Sequence, residues 1–174
     1  MQVNKLPLYI FNIGEHPNKS SMAQGAIFEH AKYVYTHGNS VPLKLNRDSF
    51  DELYRNLLEI ADDLFDGLRL LENNKRTCWA YLTNIDFYRG GIHDHVRTSV
   101  ISAVYYLQVP KTKSYEEGGI SFYNDANSEV FCFKPRVGDL IIFPNFLKHQ
   151  PHQSYTDDFR IAINMEIICE PVQW

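Results

Sequence analysis

Between positions 48 and 71 an apolar residue recurs every three or four places: Phe50, Leu53, Tyr54, Leu57, Leu58, Ala61, Leu64, Phe65, Leu68 and Leu71. That period lays them along one stripe of a helix, and Asp48 stands where an N-cap is wanted, so the pattern predicts a helix over 49–71. So wide a stripe must be covered, most simply by a sheet. Ahead of it, "LPLYIFNI" reads as a strand, "SMAQGAIFEHAKYVYTH" as a helix capped by Ser20 or Ser21, and "VPLKL" as a short strand. At Cys78 the period changes. "CWAYLTNIDFY", "SVISAVYYLQV", "GGISFYN", "EVFCFK", "DLIIFP" and "FRIAINMEII" are strand-like runs divided by the turn-formers "RGG", "EEGG", "NDANS" and "RVGD". Runs spaced by roughly 10 to 15 residues fit an antiparallel jelly roll or sandwich. The expected fold is α+β: one domain over 1–174, with helical support over 1–77 and a β core over 78–170.

Composition agrees. Eleven Tyr, eleven Phe and two Trp among 174 residues favour pleated, half-buried surfaces and a large packed interior. A net charge of −4 without a Lys/Arg cluster argues against nucleic acid. The three cysteines, Cys78, Cys132 and Cys169, lack a C-x-x-C spacing and lie in apolar runs, which fits reduced thiols in the cytoplasm. No stretch approaches the ~18 consecutive apolar residues of a membrane span, and the N-terminal apolar run is too short and interrupted for a signal peptide. A soluble, cytoplasmic protein with no membrane partner is expected.

The chemistry concentrates in "GGIHDHVRTSVISAVYYL". In an extended chain His93 and His95 point the same way and Asp94 the other. Two imidazoles aimed at one point need one or two further donors to hold a divalent metal. A third histidine, His149, follows the apolar run "LIIFP". Arg160 then opens "RIAINMEI", sharing a strand face with Ala162, Asn164 and Glu166. A cation at the head of a core strand is costly unless it meets a carboxylate, of the protein or of a ligand.

These blocks resemble, in order, the iron(II) and 2-oxoglutarate dependent oxygenases, and among them the small prolyl-hydroxylase-like group. H-x-H stands where that family more often has H-x-D; "AVYYL" is similar to its tyrosine-bearing strand; "EEGGISFY" is similar to its G-G-x-L/I-x-F hairpin; "GDLIIFP" is followed by His149 and Arg160. The resemblance covers about residues 80 to 168. It implies a double-stranded β-helix, a cupin-like jelly-roll barrel with the N-terminal helices on the outer face of one sheet. It also implies Fe(II), 2-oxoglutarate as cosubstrate and O2, with succinate and CO2 released as an amino acid, peptidyl residue or small metabolite is hydroxylated.

Carried over by position, the resemblance makes His93 and His149 iron ligands, Arg160 the partner of the distal carboxylate of 2-oxoglutarate, and Tyr106 a second donor to it. Asn84, on the strand before H-x-H, is expected to face the cosubstrate. Strand parity makes His95 the third ligand, with Asp94 the fallback should the chain bulge there. His16, His30, His37 and His152 fit no block and read as surface residues. A cupin would share the H-x-H and late histidine, but it calls for a glutamate where "VRTS" stands and has no use for Arg160. A non-catalytic binding module on the same fold is the third reading, raised by the missing aspartate.

Overall fold

In a computed structural model, residues 6–37, 40–42, 47–74, 77–88, 90–97 and 99–174 are described. The strand-like runs become β1 (Tyr9–Asn12), β2 (Ser40–Pro42), β3 (Thr77–Thr83), β4 (Ile101–Gln108), β5 (Ile120–Tyr123), β6 (Glu129–Phe133), β7 (Asp139–Pro144), β8 (Lys148–Pro151) and β9 (Arg160–Ile167). The first half adds helices α1 (Lys19–His37) and α2 (Arg47–Leu64). One sheet has six strands in the order β1-β7-β4-β9-β3-β2, the other three in the order β6-β5-β8. Every strand pair is antiparallel. The arrangement is jelly-roll-like, and the rest of the expected strand "VPLKL" lies outside the described residues.

Alternation along the central strands decides where everything else goes. Ile101, Ala103, Tyr105 and Leu107 of β4 and Ile161, Ile163, Met165 and Ile167 of β9 join one buried cluster with Leu53, Tyr54, Leu57 and Ala61 of α2 and Met22 and Ala26 of α1. That cluster is where the α2 stripe finds its cover. The intervening residues Val104, Tyr106 and Ala162 turn the other way, into a second cluster with Ile141, Phe143, Ile120 and Phe122. This second cluster joins the two sheets, and the functional groups belong to it. The Tyr54 hydroxyl donates to the Glu166 carbonyl at 2.8 Å, tying α2 to β9.

Helix α2 stops at Leu64, seven residues short of the expected end. Asp66 and Gly67 take left-handed φ values of 54° and 105°, Gly67 N–H reaches back to the Asp62 carbonyl, and the Asp62 carboxylate accepts from Leu68 N–H. These bonds satisfy the orphan groups of the last turn in place of a further turn. Leu68 still packs against the core from the turn, while Leu70 and Leu71 are exposed. At the other end of the chain, α1 begins at Lys19, with the Asn18 carbonyl accepting from Met22 N–H; Ser21, one of the two expected caps, bonds back to that carbonyl from inside the helix. The turn before β7 requires a glycine: Gly138 has φ 86°, and a Cβ there would come within 2.6 Å of the Gly14 backbone.

Candidate active site

Short backbone ladders bring the three histidines together. His149 lies on β8 opposite Phe122 of β5. His93 and His149 exchange both N–H···O bonds, at 3.0 and 2.9 Å, and His95 N–H donates to Asn145 in the turn between β7 and β8 at 2.7 Å. The H-x-H segment is thereby stitched along one edge of the smaller sheet. Asp94 is exposed, and its carboxylate meets only the nearby Val96 N–H among the described hydrogen bonds.

The side chains then converge. One nitrogen from each of His93, His95 and His149 lies within 4.8 Å of the other two. Nε2 of His95 and Nε2 of His149 are 3.3 Å apart. Two nitrogens bound side by side to one ion at ~2.0–2.1 Å each would be about 3 Å apart, so this donor set suits a divalent metal. Each ring is also anchored at its other nitrogen. His93 Nδ1 lies 2.9 Å from the Gly91 carbonyl, His149 Nδ1 3.0 Å from the Leu147 carbonyl, and His95 Nδ1 2.9 Å from Glu166 Oε1. An acceptor at Nδ1 holds the proton there and leaves the Nε2 lone pair for a metal. Phe143 meets the His149 ring edge-on at 4.8 Å and Phe122 lies 6.2 Å away. Burial, with His93 and then His95 nearby, pushes His149 down to about 3, although the Leu147 carbonyl pulls the other way. The ring is therefore a neutral donor near neutral pH.

A second group of polar atoms sits deeper between the sheets. Arg160 is 1% exposed; its Nε donates to the Gly118 carbonyl at 2.6 Å, while Nη1 is buried without a partner. Its guanidinium carbon lies 5.0 Å from the centre of the Tyr106 ring, and the Tyr106 hydroxyl is likewise buried and unpartnered. Burial raises the Tyr106 phenol to about 12 against the pull of Arg160, so it stays a donor. Thr83, which pairs with Arg160 across β3 and β9, adds a second unpartnered hydroxyl. Buried donors without acceptors are costly, and an entering carboxylate would satisfy them. Gly118 at φ 67° keeps the approach open, since a Cβ there would touch the Arg160 stem at 3.4 Å.

Not every expectation survives. The Asn84 amide shapes the turn after β3, accepting from Asp86 and Phe87 N–H and donating to the Asp157 carbonyl. His16 and His30 are buried and His152 is half-buried against Ser121, which corrects their reading as surface residues; the side chain of His37 lies outside the described set. Thr83, Glu166 and Trp79, whose ring is 6.1 Å from that of His95, were missed. Parity was the available signal: Trp79 and Thr83 alternate with the core residues Ala80 and Leu82, and Glu166 shares a face with Arg160.

Comparison with known proteins follows the same outline. A family model of 2OG-Fe(II) oxygenases matches residues 77–166. No curated protein matches the chain. Among solved structures, a Pseudomonas putida prolyl-4-hydroxylase is similar with a TM-score of 0.66 and 14% identity over 94% of this chain and 92% of that one. A Trichoplax adhaerens prolyl hydroxylase, in complex with a hypoxia inducible factor peptide fragment, gives 0.58 and 16% over 95% and 85%. The non-heme alpha ketoglutarate dependent epimerase SnoN from nogalamycin biosynthesis gives 0.59 and 13% over 92% and 77%. At these identities the likeness is one of fold.

Proposed function

The chain belongs to the 2OG-Fe(II) oxygenases, and from that premise we propose that it is a working iron(II)- and 2-oxoglutarate-dependent dioxygenase that hydroxylates an amino acid, a peptidyl residue or a small metabolite. The observation that carries the reading is the convergence of His93, His95 and His149, each anchored at Nδ1. Their Nε2 atoms would hold Fe(II) on one face and leave positions open for small ligands. Arg160, with Tyr106 and Thr83, would take the distal carboxylate of 2-oxoglutarate. When bound, the iron and the keto acid would supply the oxidation with O2 as the oxidant, one oxygen atom going into succinate as CO2 leaves and the other into the substrate.

The protein's own work is to bind, orient and exclude water. Arg160 is held at Nε by Gly118, so its free nitrogen is already aimed before a carboxylate arrives, and little is lost in ordering it. Phe122 and Phe143 wall the inner side of His149 and keep the site dry on that flank. The double-stranded β-helix, with helices on the outer face of the larger sheet, is the scaffold for this reading; the helix and strand residues of the first core cluster support it.

A cupin would use the same three imidazoles but would leave Arg160, Tyr106 and Thr83 without an acceptor. The test is an anaerobic titration of 2-oxoglutarate into iron-loaded protein, following the metal-to-ligand absorption band, and then a screen of amino acids and peptides for substrate-dependent succinate. Saturable binding with a band, and succinate that rises with a substrate, is expected. No saturable binding would sink the reading. Binding without succinate under any substrate, coupled or uncoupled, would leave a non-catalytic module.

A further inference from the structure

Three neutral imidazoles pose a charge problem. In the two-histidine, one-carboxylate triad a carboxylate on the metal cancels one of its two positive charges, whereas three imidazoles cancel none. The structure places a carboxylate one layer back. Glu166 is 4% exposed, and its Oε1 is 2.9 Å from Nδ1 of His95, the histidine at the position where the two-histidine triad has its carboxylate. His93 and His149 give their Nδ1 atoms to backbone carbonyls instead. Of the three ligand candidates, the one backed by a full negative charge is the one that replaces a charged ligand.

We propose that Glu166 is a positioning residue of the metal site, acting through His95 to restore the negative charge that the missing carboxylate ligand would have brought. The proposal rests on His93, His95 and His149 being the iron ligands. A carboxylate accepting from Nδ1–H fixes the ring's orientation and makes Nε2 a stronger donor, so charge reaches the metal through the imidazole. Glu166 can do this because it shares with Arg160 the face of β9 opposite the first core cluster: Arg160 stands at its head and Glu166 three alternations on, against His95. One strand thus carries both the group for the cosubstrate and the group behind the metal.

The test uses the whole chain and two readouts other than turnover: Fe(II) affinity under anaerobic conditions, and the wavelength of the iron-to-2-oxoglutarate band. Glu166→Gln keeps the size and an acceptor oxygen but removes the charge. It is expected to bind iron ~10- to 100-fold more weakly. Its band should move to shorter wavelength, because a less electron-rich iron gives up an electron to the keto acid less readily. Glu166→Asp, which keeps the charge at a longer reach, should fall between Gln and the unmodified protein, and it serves alone if the Gln variant does not fold. Tyr54→Phe is the structural control: it should lower the melting temperature and leave affinity and band in place. Glu166→Gln with unmodified affinity and band, or Glu166→Asp no closer to the unmodified protein than Gln, overturns the proposal. If the unmodified protein itself binds no iron, the ligand assignment fails first, which is a distinguishable result.

Discussion

At Arg160 the fold keeps a buried guanidinium nitrogen without a partner, and a residue left so is expected to answer to ligand more than to stability. Arg160→Lys removes the two-pronged geometry that a carboxylate can match. It should weaken 2-oxoglutarate by roughly 30-fold to several thousand-fold, the equivalent of about 2 to 5 kcal/mol, with iron affinity nearly unchanged. Tyr106→Phe should weaken it less while leaving the ligand-free protein as stable or slightly more so, because the deleted hydroxyl has no partner there. Chemical denaturation of the ligand-free protein and the 2-oxoglutarate titration together check both. His30 gives a different prediction. Its ring lies 5.0 and 5.1 Å from Phe87 and Phe159, its Nε2 is buried without a partner, and burial lowers its pKa. As pH falls through the ordinary histidine range the unfolded chain takes a proton that the native ring refuses, so this residue costs stability on the acid side and nothing at neutral pH. His30→Leu should narrow the gap between urea midpoints measured at about pH 7.5 and about pH 5.5. The convergence of His93, His95 and His149 was readable from parity and order along the chain. Parity put Glu166 and Thr83 on the right faces, but that Glu166 meets His95, that Thr83 lies opposite Arg160 and that His16 and His30 are buried depends on which segment ends up beside which, and the local pattern does not carry that.

Among the elements, those with long, strong periods were the legible ones. Strand β7 is Asp139–Pro144, matching "DLIIFP" residue for residue, since both of its faces are buried and the apolar run is unbroken. Strand β8 escaped notice: four residues with two outward polar side chains give no usable alternation, and its existence is owed to β5 and to the exchange of bonds with His93. Helix α2 was right in type and wrong in length because the apolar stripe runs on through Leu68 and Leu71 while the backbone obeys Asp66 and Gly67. The stripe itself is a stability feature. Leu57 is fully buried in the cluster shared with β4 and β9, so Leu57→Ala should cost about 2 to 5 kcal/mol and Leu57→Asp should prevent folding, as read by circular dichroism and urea denaturation. A folded, soluble Leu57→Asp protein would mean that the stripe serves to dock a partner instead. The described helices include none long and apolar enough to cross a membrane.

Seen whole, the larger sheet separates two jobs by its two faces. One face, whose residues share the first core cluster with the helices, holds the fold together; the other, facing the smaller sheet, carries Arg160, Tyr106 and Thr83, while the imidazoles stand at the edge of that smaller sheet. Groups on the second face are costly without ligand, so ligands that satisfy them should feed back on the stability of the entire chain by mass action. A ligand at about 100 times its dissociation constant adds about 2.7 kcal/mol, which for a chain of this size corresponds to a rise of roughly 5 to 10 °C in melting temperature. Two increments are expected under anaerobic conditions: one on adding Fe(II), and a second on adding 2-oxoglutarate to the iron-loaded protein. His149→Ala should lose both, because the metal is the platform on which the keto acid would chelate. Arg160→Lys should keep the first and lose most of the second, because Arg160 is held at the Gly118 carbonyl and is not one of the three converging histidines. Differential scanning calorimetry of the unmodified protein and the two variants reads all of these directly. Equal stabilisation by 2-oxoglutarate with and without iron would show that the two polar groups act independently, and the shared site would have to be given up.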